Sequence, residues 1–121
     1  MNKKRILLVD DEVGFTTILK LSLPGFEVCV ENNPLQAIET ARRFRPDLIF
    51  LDVVMPDTDG GTVAAQFKED LDLGRIPIVF LTAIISEGEA ASRDHICGYE
   101  FVAKPARLDQ IVDCIRKHLG T

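Results

Sequence analysis

Short apolar bursts alternate along the chain with longer amphipathic stretches. Three bursts are nearly continuous: Ile6 to Val9, Leu48 to Leu51 and Ile76 to Leu81. Runs this short without polar alternation fit strands covered on both faces. Two more alternate. Phe26-Glu27-Val28-Cys29-Val30 places Phe26, Val28 and Val30 on one side, and Tyr99-Glu100-Phe101-Val102 is broken by a charge. Polar interruptions suit edge strands, where solvent reaches the backbone.

The intervening stretches carry helical spacing. The first is predicted from about Glu12 to Leu23, where Pro24-Gly25 stops it. Asn33-Pro34 pairs an N-cap residue with proline at the first helical position, and Ala37, Ile38, Ala41 and Phe44 follow at helical intervals. A third helix follows Gly60-Gly61 and uses Val63, Ala64 and Phe67. Ser86-Glu87-Gly88-Glu89 reads as a capping box for a fourth, to about Cys97, with a poor apolar stripe. The last carries Leu108, Ile111, Val112, Ile115 and Leu119 on one face. His95 and His118 fall on helices as solvated surface positions, with no assigned role.

This is a βαβαβαβαβα order, which implies an α/β fold with a parallel sheet and right-handed crossovers. With strands two and five as edges and one, three and four inside, the strand order is 2-1-3-4-5. That is the flavodoxin-like doubly wound arrangement of five strands, whose ligand crevice lies at the carboxyl ends of strands one and three.

Composition narrows the function. The chain has 121 residues, 46% hydrophobic and 27% charged, with a net charge of -5. That size and mix fit one soluble domain over residues 1–121, with no further domain expected after the last helix. Such a chain stands alone or is a fragment of a longer protein. The negative balance argues against direct nucleic-acid binding and leaves carboxylates for a cation. Cys29, Cys97 and Cys114 are odd in number and form no CxxC pair, which reads as reduced thiols in a cytoplasmic protein. The basic start, Met1 to Arg5, leads into an apolar run that ends at Asp10-Asp11, too short for a signal peptide. No stretch is long enough for membrane insertion.

The chemistry gathers at the strand ends. Strand one runs into Asp10-Asp11, strand three into Asp52, strand four into Thr82, and strand five through Ala103 to Lys104. The predicted sheet puts all of them at one rim. Two unit charges 4 Å apart repel by about 4 kcal/mol at an effective dielectric near 20. A raised pKa or Lys104 offsets part of this. A hard divalent cation does so better, and an all-oxygen set suits Mg2+. With no His or Cys among these residues, Zn2+ and Cu2+ are disfavoured. A carboxylate beside such a cation is a nucleophile toward phosphorus. Asp52, on the central strand between the acidic pair and Lys104, is the best acceptor. Thr82 is placed to donate to a phosphoryl oxygen.

Leu7-Leu8-Val9-Asp10-Asp11-Glu12, then Asp52 with Met55-Pro56 and Asp59-Gly60, then Leu81-Thr82-Ala83, then Lys104-Pro105 resemble the receiver domain of two-component response regulators. The resemblance spans essentially the whole chain. It implies that Asp11 is a direct Mg2+ ligand, that Asp10 is its acidic partner and that Asp52 is the phosphorylated residue. The backbone carbonyl of Val54 becomes a further metal ligand, and Thr82 with Lys104 the phosphoryl-binding pair. The Lys104-Pro105 bond is similar to one usually found cis. Phosphohistidine on a sensor histidine kinase or a histidine phosphotransfer protein becomes the donor, and a downstream effector protein or domain the target. Phe101 matches a switch aromatic coupled to Thr82; lacking a hydroxyl, it contributes packing alone. Val54 and Ile84 match two tuning positions. Both are bulky and apolar, unsuited to positioning water, so slow self-dephosphorylation is expected.

Taken singly, each residue has a plainer explanation. Asp10-Asp11 suits a helix N-terminus, Asp52 a strand end, Thr82 an N-cap, Lys104 a solvated turn and Phe101 the core. Convergence at one rim is what favours a site. The short first helix, Thr58, Gly61 and Ala106 depart from the family pattern and leave subgroup and dimer geometry open. Two other functions remain: a docking module that is never phosphorylated, and an Mg2+-dependent phosphotransferase or phosphatase. Haloacid-dehalogenase-like enzymes want a second Asp two residues after the nucleophile, where this chain has Val54.

Overall fold

The computed structural model describes residues 3–55, 58–82, 95–96, 99–103 and 107–120. Five parallel strands form the sheet: β1 (Arg5–Val9), β2 (Glu27–Glu31), β3 (Leu48–Asp52), β6 (Ile78–Thr82) and β8 (Tyr99–Ala103). Their order, β2-β1-β3-β6-β8, is the expected 2-1-3-4-5. A two-residue strand, β7 (His95–Ile96), pairs antiparallel outside β8. Another pair, β4 (Val54–Met55) and β5 (Thr58–Asp59), forms a small antiparallel ribbon directly after β3.

The continuous apolar runs are buried on both faces, and alternate residues feed two separate cores. Leu7, Val9, Ile49, Leu51, Ile78 and Phe80 pack against helices α2 (Ala37–Phe44) and α3 (Gly60–Glu69) through Ala37, Ala41, Val63, Ala64 and Phe67. Ile6, Leu8, Leu48, Phe50, Val79 and Leu81 face the other way. They meet Leu19 of α1 (Val13–Leu21), and Ile111 and Ile115 of the last helix, α4 (Leu108–Leu119). Each such side chain stabilises the fold by roughly 1.5–3 kcal/mol relative to exposure. Every strand residue from Ile6 to Val9 and from Leu48 to Leu51 is fully buried.

Several expected boundaries move. The first helix ends at Leu21, not Leu23, because Ser22 takes over as its cap; Leu23 then plugs the core. Asn33 caps a 3-10 turn, Pro34–Gln36, by accepting from the Leu35 N–H, and α2 proper begins at Ala37. The fourth strand starts at Ile78, after Pro77, rather than at Ile76. The helix expected to about Cys97 is contradicted at its end. His95 and Ile96 pair with Glu100 and Tyr99 instead, because the open edge of β8 offers backbone partners that local periodicity does not reveal. Its opening at Ser86 lies outside the described residues. His118 is not solvated surface: its side chain is only 21% exposed and its Nε2 lies 3.0 Å from Glu100 Oε2. Cys29 and Cys114 are free thiols, and Cys97 lies outside the described residues.

Asp70 closes α3 and ties it to α2. Its carboxylate accepts from the Asp72 and Leu73 N–H groups at 2.9 and 3.1 Å and from Arg42 Nη2 at 2.6 Å. The Arg42 guanidinium, followed by these backbone donors, holds the Asp70 carboxyl below its ordinary value of 3.8. A depressed carboxyl stabilises the fold above its unfolded pKa and loses that contribution as pH falls through the folded one. The stability gap between the native chain and Asp70→Asn should therefore be full at neutral pH and close below about pH 3.8, read from thermal midpoints across an acid series.

Candidate functional site

β1 and β3 are neighbours in register, with Val9 opposite Leu51, so the next residue of each, Asp10 and Asp52, stands side by side at the carboxyl rim. Asp10 lies just past the strand. Its N–H donates to the Glu31 carbonyl at 3.2 Å. Its own carbonyl accepts from Asn32 Nδ2 at 2.8 Å. The same Nδ2 lies 3.0 Å from Thr16 Oγ1, so one amide joins the ends of β1 and β2 to the first turn of α1. Asp10 Oδ1 accepts from the Glu12 N–H at 2.9 Å, which fixes the carboxylate's direction.

Asp52 is held from the other side. The following N–H, of Val53, reaches Leu81 on β6, and the Val53 carbonyl accepts from Gly60 at 2.8 Å. Gly60 must be glycine. A Cβ there would strike the Asp52 carbonyl oxygen and come within 2.8 Å of Val53 Cα, both backbone atoms. Asp59, the N-cap of α3, accepts from the Thr62 N–H and steers the loop back.

Asp10, Asp11 and Asp52 converge, with one carboxylate oxygen from each within 4.8 Å of the others. Asp10 is fully buried, Asp52 is 4% exposed and Asp11 is half-buried, so the cluster opens toward solvent on the Asp11 side. Burial weakens screening, so the mutual repulsion is felt more strongly than at an open surface. The donor set is oxygen alone, which fits a hard divalent cation. Val54 lies in the β4–β5 ribbon opposite Asp59, two residues past Asp52. Thr82 ends β6 one residue beyond Leu81, the partner of Asp52, and is paired with Ala103 of β8. The backbone thus brings the tip of β6 to the same rim. Phe101 lies opposite Phe80, half-buried against the core under α2 and α3. Lys104, the Lys104-Pro105 bond and Ile84 lie outside the described residues.

Asn32, Thr16 and Gly60 also shape this site, and sequence reasoning missed all three. Asn33 has a capping role that explains it, which left Asn32 as an unexplained polar residue after a strand. Gly60 read as a helix-start marker and as part of the Asp59-Gly60 motif, without its contact to the Asp52 backbone.

Residues 6–116 match the family described as response regulator receiver domain. The chain belongs to that family. This receiver domain is 31% identical over 124 residues to the polar-differentiation response regulator DivK of Brucella anthropi, covering 99% of this chain and 98% of that one. The receiver domain of a signal transduction histidine kinase from Syntrophus aciditrophicus superposes with a TM-score of 0.79 at 29% identity, over 97% of this chain and 90% of that one. Vibrio cholerae chemotaxis protein CheY4 superposes at 0.81 with 22% identity over 97% and 99%, a likeness of fold. The receiver domain is thus a component of two-component signalling. Among the described residues, no helix is long and apolar enough to cross a membrane.

Gly60→Ala should cost about 1–3 kcal/mol, because the added methyl meets backbone that cannot yield without moving Asp52. Asn32→Ala should cost about 1–3 kcal/mol by stripping a donor shared between two elements. Urea midpoints with unchanged slopes test both.

Proposed function

We propose that this receiver domain is a phosphorylation switch that accepts a phosphoryl group on Asp52. The convergence of Asp10, Asp11 and Asp52 carries this reading. Bound Mg2+ would neutralise charge on the transferring group, held by Asp10, Asp11, Asp52 and the Val54 carbonyl. A carboxylate oxygen of Asp52 attacks phosphorus in line. The bond from phosphorus to the donor's imidazole nitrogen breaks with its electron pair staying on nitrogen, leaving an aspartyl phosphate and a free histidine. The bonds around Val53 and Gly60 hold the Asp52 backbone still during the attack, which preserves alignment. Thr82 donates its hydroxyl to a phosphoryl oxygen and Lys104 supplies the balancing positive charge.

The donor is phosphohistidine on a sensor histidine kinase or a histidine phosphotransfer protein, and the readout is altered affinity for a downstream effector. DivK and the Syntrophus kinase receiver, which match over nearly the whole chain, support this setting. The whole chain, residues 1–121, acts as one unit in the cytoplasm. Withdrawal of Thr82 toward the phosphoryl group leaves space into which Phe101 moves, and the ring contributes packing alone.

Intact-mass analysis with Mg2+ and a small acyl phosphate should show a single phosphoryl adduct that vanishes in Asp52→Asn and on chelation of the metal. An adduct surviving in that variant would move the acceptor elsewhere. Asp11→Asn should weaken Mg2+ binding by at least about tenfold, or ~1.4 kcal/mol. The isolated phosphoprotein should lose its label slowly, because Val54 and Ile84 cannot position water, and Ile84→Glu should speed the loss. Rapid loss from the native protein contradicts that role.

A further inference from the structure

A second group of chemically active side chains lies away from the acidic rim. Glu100 is on β8, three residues before Ala103, or about 10 Å down the strand at ~3.3 Å per residue. Its neighbours Tyr99 and Phe101 pack on one core, and Val102 on the other. Glu100 faces α4. Its Oε1 accepts from Lys117 Nζ at 2.8 Å, and its Oε2 lies 3.0 Å from His118 Nε2. Cys114 is four residues before His118, so helical geometry stacks the two on one face. One ligand atom each from Glu100, Cys114 and His118 lies within 4.8 Å of the other two.

We propose that Glu100, Cys114 and His118 form a Zn2+ site that clasps the last helix to β8. The chemistry differs from that of the rim. One sulfur, one imidazole nitrogen and one carboxylate oxygen suit a borderline-soft ion in tetrahedral geometry, whereas the all-oxygen cluster does not. Zinc bond lengths to S, N and O imply ligand-to-ligand edges of about 3.3–3.7 Å. The carboxylate and imidazole, 3.0 Å apart, open by a few tenths of an ångström to admit the ion, and rotation of the partly buried Cys114 side chain sets the two edges to sulfur.

Charges balance as well. Binding releases the Cys114 thiol proton to solvent. Thiolate and carboxylate then neutralise the ion, and neutral His118 coordinates through Nε2. Lys117 holds Oε1 of Glu100 and leaves Oε2 to face the metal. Water completes the fourth position. The ion joins the outermost parallel strand to α4, so it stiffens one face of the sheet without touching the rim.

Titrating the purified full chain with Co2+ under saturating Mg2+ tests the site, with Zn2+ as competitor. A stoichiometric thiolate-to-cobalt charge-transfer band, quenched by Zn2+, is expected. It should persist in the Cys29→Ser/Cys97→Ser double variant and vanish in Cys114→Ser. His118→Gln and Glu100→Gln, which keep the thiol, should each weaken binding by at least the roughly 10–100-fold that even outer-shell losses cost. Circular dichroism confirms folding of each variant. If Cys114→Ser does not fold, the His118 and Glu100 variants decide. No band in the native chain, a band that survives Cys114→Ser, or unchanged affinity in both amide variants overturns the proposal.

Discussion

Like charges brought together at the tips of neighbouring strands set the terms for the rest of this molecule. Adjacent parallel strands lie about 4.8 Å apart, and the β1–β3 register makes Asp10 and Asp52 lateral neighbours. Their repulsion would spread a loosely held rim. Two features oppose it. Both strands are buried on both faces, so neither can tilt without opening a core. Asn32 and the β4–β5 ribbon then lock the backbone just beyond each strand end. Under the proposed function, a cation would meet ligands that the fold has already brought together.

Much of this was legible in the residues themselves. Short unbroken apolar runs fit strands covered twice, and the polar breaks at Glu27 and Glu100 marked the outer strands, so the strand order followed. The acidic rim followed from the strand order, because it needed only the residue after each run. Asn32 was not legible. Its role depends on a contact across 22 positions to the Asp10 carbonyl, which no local pattern encodes. Nor was the pairing of His95 and Ile96 with β8, which reflects an open sheet edge rather than a preference of those residues. Reading His118 as surface failed for a related reason. Helical phase placed it beside the apolar stripe, but only the packing of α4 on β8 showed Glu100 waiting there.

The two polar clusters divide the sheet by chemistry as well as by position. At the rim, Asp10, Asp11 and Asp52 present oxygen ligands only. Down β8, a carboxylate shares its two oxygens between an ammonium and an imidazole. The nearby cysteine is a poor nucleophile, since burial pushes the Cys114 thiol up to about 11. Its neighbours on α4, Val112 and Leu119, belong to the same core as Ile111 and Ile115, so changes at that face propagate into the packing beneath β1 and β3.

Gly60 makes the loop after β3 a ruler. Its amide bonds Val53 and its bare Cα rests on the Asp52 backbone, seven intervening residues after the acid. Adding or deleting one residue between 53 and 59 would slide a side chain into that contact. Homologous chains drifting under selection can therefore exchange the letters of this loop far more freely than its length.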